Sequence, residues 1–146
     1  MQTLEKLLSR FAKETDSRWW IGKRPDVREG QLAKTIAKNV GLPTSTDDPF
    51  ARQGMIRLDK ANAARVLAVA GSTSLAYEQP SPPSGVLSDA KSALNDLDED
   101  ATFFSNGRWE EGGSQSWNPL TTATFDCGLI GFDSKNAFIF WIEEED

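Results

Sequence analysis

Histidine is absent from these 146 residues, and cysteine occurs once, as Cys127. Without histidine the chain lacks the commonest general base and the commonest transition-metal ligand. A single cysteine cannot close an internal disulfide, so nothing supports secretion as a disulfide-stapled scaffold. Together the two shortages rule out Ser-His-Asp and Cys-His catalysis and a structural zinc site. Long apolar runs are missing as well. None approaches the roughly 20 residues that span a bilayer. Met1 to Ala12 is interrupted by Glu5, Lys6 and Arg10, so it lacks the unbroken apolar stretch of a signal peptide. The expectation is a cytoplasmic protein with no membrane contact, no cofactor and no stoichiometric transition metal.

Basic residues are scarce in one half only. Residues 1–75 carry 13 Lys and Arg against 8 Asp and Glu, whereas residues 76–146 carry 3 against 14. An acidic half of this kind repels nucleic acid and attracts basic surfaces. Some of the opposition is expected to cancel where the two halves pack together.

What is present is enough for a core. Apolar residues make up 38% and aromatics 10%, which suits one domain over residues 1–146. Leu4, Leu7, Leu8 and Phe11 form one helical stripe, predicting a helix from Thr3 to Thr15. Trp19, Trp20 and Ile21 follow, and Gly22 and Pro25 then break the chain. A second helix is predicted from Asp26, which has capping-box spacing to Glu29, as far as Val40. A third runs from Asp59, a good N-cap, to Ala70, with Gly71 as its stop. Gln79 to Gly85 is proline-rich and marks at most a hinge. A fourth helix covers Val86 to Leu97.

Beyond residue 101 the apolar period changes to two. Thr102 to Ser105 reads as a strand, and Asn106-Gly107 signals a type I′ hairpin into Arg108-Trp109. Thr122 to Phe132 and Ala137 to Ile142 are two further strands, the second apolar on both faces and so central. The fold class is therefore α+β: N-terminal helices packed on one face of a short, mainly antiparallel C-terminal sheet. Phe125, Leu129, Ile139 and Trp141 are expected in its core.

Acidic residues gather in three clusters: Asp96, Asp98, Glu99 and Asp100; Glu110 and Glu111; and Glu143, Glu144, Glu145 and Asp146. Each can be a solvated helix end or tail, or part of a binding face for a basic protein. Trp109, in a Gly-flanked hairpin beside Glu110, is the candidate anchor of such a face, with Trp117 near it. Trp20 and Trp141 are assigned to core packing. Asp126 and Asp133 are the carboxylates that acid–base or Mg²⁺ chemistry would use, but no spacing motif or Gly-rich phosphate loop accompanies them. Cys127, in an apolar strand without a histidine, reads as a buried, inert thiol.

FFSNGRW (Phe103 to Trp109), SWNPLTTATFDCGLIGFD (Ser116 to Asp133) and NAFIFWIEEED (Asn136 to Asp146), with LAY at Leu75 to Tyr77, resemble immunity proteins. These are encoded beside interbacterial toxins of the polymorphic and type VI secretion kinds. The resemblance covers the C-terminal third. It implies a small, acidic, non-enzymatic protein that binds a cognate toxin and blocks its active site or assembly. A phage-type inhibitor or nucleic-acid mimic and a carboxylate-dependent enzyme are the alternatives.

Overall fold

The computed structural model describes residues 1–51, 54–75, 81–110 and 116–145. Glu111, Tyr77 and Asp146 lie outside them. The elements follow the order α1 (Gln2–Ala12), β1 (Ser17–Lys23), α2 (Glu29–Lys38), β2 (Ile56–Leu58), α3 (Lys60–Ser72), α4 (Ser84–Leu94), β3 (Thr102–Ser105), β4 (Phe125–Phe132) and β5 (Asn136–Glu144). This is an α+β fold. One sheet in the order β1-β5-β4-β3-β2 holds all five strands, and every neighbouring pair is antiparallel. Its strands come from both sides of the proline-rich segment: β1 and β2 precede it, β3 to β5 follow.

β5 is central and covered on both faces, as its sequence predicts. Phe138, Phe140 and Ile142 point into a core shared with α1, α3 and α4. Ala137, Ile139 and Trp141 point the other way, into a second core shared with α2. Helices on a single face are thus the wrong expectation. Leu32, Ile36 and Ala37 give α2 an apolar stripe that needs its own sheet surface, and the odd-numbered residues of β5 supply it. Leu129, Ile139 and Trp141 are buried; Phe125, the first residue of β4, is only half-buried.

Two local expectations also change. Gly71 does not stop α3 but lies inside it, because Phe11 of α1 packs there: an added Cβ would come within 2.3 Å of its ring. The capping box at Asp26 does not form; α2 starts after Arg28 with no side-chain cap. Asp59 does cap α3, accepting from the Asn62 amide at 2.8 Å.

Both strands missing from the sequence reading are sheet edges. Trp19, Trp20 and Ile21, to which the sequence reading gives no element, lie in β1, paired with β5 from Ser17 opposite Ile142 to Lys23 opposite Asn136. Ile56–Leu58 is too short to carry a period.

Candidate functional site

β4 runs from one end of the sheet to the other, and its eight residues place the two ends roughly 24 Å apart. The carboxylates and tryptophans singled out in the sequence divide between those ends.

At the end where β4 begins, Asn106 and Asp126 organise the chain. Asn106 is fully buried and its side-chain amide donates to the Asp126 carbonyl (3.1 Å) and carboxylate (2.9 Å). Asp126 also accepts from Trp141 Nε1 (3.0 Å), the Leu120 amide (3.1 Å), and the Thr121 amide and hydroxyl (3.3 and 3.2 Å). Burial raises its pKa from the ordinary 3.8, with these donors pulling the other way. The Asn106-Gly107 hairpin does not form, because the asparagine side chain turns inward to this network. Gly107 instead bridges to Trp117.

Trp109 follows in a left-handed conformation, φ 51°, which is uncommon for so large a side chain. Arg65 of α3 holds it there, its guanidinium donating to the carbonyls of Arg108 (2.6 Å) and Trp109. The indole stacks on Trp117 at 5.1 Å, and Trp117 lies 5.5 Å from Phe125. Trp109 is only 3% exposed, so the expectation of an exposed anchor is corrected: it belongs to the core beneath α3. Trp117 is half-buried and Glu110 exposed. Glu143 and Glu144 stand at the same end of the sheet and serve the fold. Glu143 pairs with Arg18 at 2.8 Å. Glu144 accepts from the Ser74 hydroxyl and the Leu75 amide, pinning the chain after α3.

At the opposite end, Asp133 caps the β4–β5 turn. It accepts from the amides of Lys135 (2.8 Å), Asn136 (2.7 Å) and Asp98 (3.0 Å). Burial would raise its pKa, but those amides and the Lys135 charge outweigh it and hold it below 3.8. Asp96 takes the Leu4 amide at 2.8 Å and lies 3.7 Å from the N-terminal amine. It caps α1, whose own first residue offers no side-chain cap. Asp98, Glu99 and Asp100 are exposed. Asp98 accepts from Ser134 at 3.2 Å, and Glu99 and Asp100 make no ion pair among the described residues.

The two halves of the chain do neutralise each other in places. Arg10–Asp89, Arg18–Glu143 and the N-terminal amine with Asp96 cross between them. None of these reaches Asp98 to Asp100. Cys127 is fully buried, and burial pushes its thiol well above its usual pKa. Among the described residues no group of three or more Asp, Glu or Cys is placed to hold a metal ion, and no helix is long and apolar enough to cross a membrane.

Compared with protein-family models, with curated proteins and with solved structures, the chain finds no match.

Proposed function

We propose that this chain is a binding protein, an immunity-type inhibitor that holds a basic toxin domain against Asp98, Glu99 and Asp100. The observation that carries the reading is how its acidic side chains are used. Asp126 and Asp133, the carboxylates best buried for chemistry, are surrounded by donors that the fold itself supplies. Their lone pairs are engaged in holding strands and turns. Glu99 and Asp100 are exposed and have no counter-charge among the described residues, where the basic half of the chain pairs with other carboxylates. The resemblance of the C-terminal third to immunity proteins supplies the toxin class.

Binding of this kind is steered from a distance. Oppositely charged patches raise the association rate, and the attraction is screened over about 10 Å at 0.1 M salt. Covering a toxin's cationic surface with carboxylates excludes whatever anionic substrate that surface serves. The test is co-expression with the toxin domain encoded beside this gene. Wild type should form a complex with it and restore growth, and Asp98→Lys/Glu99→Lys/Asp100→Lys should restore it poorly. Equal protection by the reversed variant would remove this surface from the account, and absence of any complex would remove the immunity reading.

A further inference from the structure

We infer that the free edge of β1 pairs with β1 of a second copy, joining two sheets into one across a two-fold axis at Trp20. The inference concerns the pure protein and does not depend on the toxin reading.

β1 is the end strand of the sheet and seven residues long, against three for the opposite edge, β2. Which of its backbone groups are free follows from the ladder to β5. The Arg24 amide donates to Lys135 and the Glu143 amide to the Asp16 carbonyl, both at 2.9 Å. Arg24 and Asp16 are even-numbered, and the intervening register is continuous, so the even residues of β1 face β5. The amides and carbonyls of Ser17, Trp19, Ile21 and Lys23 therefore point outward, away from the sheet. A row of such groups is a template for another strand, and natural edges are usually blunted by proline, a bulge, charge or a covering element. No proline lies between Ser17 and Lys23, and among the described residues no strand pairs with the outer side. Beside it a cavity of about 580 Å³ opens between Trp19 and the exposed face of α1, lined by Glu5, Ser9 and Lys13 among others. Trp19 and Ile21 are half-buried and would lose their remaining exposure under an added strand.

A second copy is the occupant that fits, because the register that satisfies every outward group is also complementary in charge. An axis at Trp20 sets Trp19 against the partner's Ile21 and Ser17 against the partner's Lys23, forming roughly eight hydrogen bonds. In the same register the position of Asp16 falls opposite that of the partner's Arg24. In the single chain the Arg24 guanidinium donates to the Asp133 carbonyl (3.1 Å) and lies over Phe132, and it would swing to the carboxylate. Arg18 falls opposite the partner's Gly22, so no like charges oppose. The two Trp20 residues meet at the axis without crowding, since each indole lies along its own strand over Gly22, where a Cβ would come within 2.4 Å of it.

Sedimentation velocity over a wide range of protein concentration, combined with residue-resolved hydrogen exchange, tests the proposal. The 16.1 kDa chain should go over to a species of twice that mass. As it does so, the amides of Ser17, Trp19, Ile21 and Lys23 should become protected, while those of Arg18, Trp20 and Gly22 stay protected at every concentration. Lys23→Pro removes an outward amide at an exposed position, where an edge strand tolerates proline. It should weaken the dimer about tenfold, through two lost hydrogen bonds. Asp16→Arg sets two cations face to face and should weaken it by a similar factor, less so in high salt; it serves if Lys23→Pro does not fold. A chain that stays monomeric at the highest concentration overturns the proposal. So does a dimer in which the odd-numbered amides exchange freely or both variants associate like wild type; the edge is then free for a strand of another protein or for none.

Discussion

The two ends of the sheet carry similar residues and use them differently. Where β4 begins, Asp126, Asn106, Trp109 and Arg65 are locked together, and Asp126 and Trp109 are buried with their polar groups and the Trp117-facing ring engaged by the fold. Where β4 ends, Asp133 is locked in the same manner, but the residues beside it, Asp98, Glu99 and Asp100, stay in solvent. Composition alone makes the two ends look alike, since each holds a cluster of carboxylates. The difference is that Asp126, Glu143 and Glu144 at the first end are all engaged by the fold. At the second end Asp96 and Asp98 are engaged, whereas Glu99 and Asp100 are exposed and make no ion pair among the described residues. A binding surface is therefore sought at the second end, although the tryptophans lie at the first.

The comparison breaks most readily at Asp126. Asp126→Ala leaves the Thr121 amide and hydroxyl, the Leu120 amide and the Trp141 indole buried without their acceptor, and Asn106 with only the main-chain carbonyl. At about 1–3 kcal/mol for each orphaned group, partly relieved by rearrangement, urea unfolding should show a loss of about 4 kcal/mol. A loss below about 1 kcal/mol would mean that water replaces the carboxylate and the end is not locked.

Trp109→Ala should come next. Truncating a buried tryptophan costs about 3–5 kcal/mol, and alanine keeps the Cβ that disfavours the left-handed backbone, so none of it is returned. A fall in stability together with unchanged affinity per folded molecule would place Trp109 in the core. Full stability with weakened binding would restore it as an interface anchor.

The pH dependence sharpens the contrast, because the two buried carboxylates shift in opposite directions. Asp133 is lowered, so its stabilisation is present above pH 3.8 and is lost as pH falls through its folded value. Asp126 is raised, so its contribution is present below pH 3.8 and is lost as pH rises through its folded value. Asp133→Asn should thus cost about 1 kcal/mol at neutral pH, with the deficit closing in acid. A deficit that persists unchanged in acid would show that the loss is one of shape and not of charge.

The smallest effect belongs to the open end. Asp98→Lys/Glu99→Lys/Asp100→Lys should change unfolding free energy by no more than about 0.5 kcal/mol, as for surface sites outside a network. A larger destabilisation would mean that these carboxylates, too, support the fold.

How far the sequence could be read follows the same division. Long periodic segments were legible: α1, α3, α4, β3, β4 and β5 lie close to where apolar period and capping place them, because each buries one face over several turns or residues. β1 was not, since SRWWIGK has too few polar residues to show alternation and ends at a glycine and a nearby proline. Its aromatic and β-branched run was the signal available. The Asn-Gly hairpin failed because a tertiary contact, Asn106 to Asp126 across 20 residues of sequence, outweighed a local turn preference. For the candidate site, the acidic clusters were visible as composition. Which carboxylates the fold consumes depends on partners far away in the chain, such as Leu4 for Asp96 and Arg18 for Glu143.

The central claim is that the exposed carboxylates at Asp98 to Asp100 receive a basic partner. Stopped-flow association of the wild type and the triple Lys variant with the toxin domain that the proposed function requires, sought as the product of a neighbouring gene, at low and high salt, addresses it most directly. The account predicts a wild-type on-rate that falls steeply with salt. It also predicts a variant on-rate at least about tenfold slower at low salt and nearly independent of salt, with dissociation changed much less. Equal on-rates for the two proteins at low salt would contradict it.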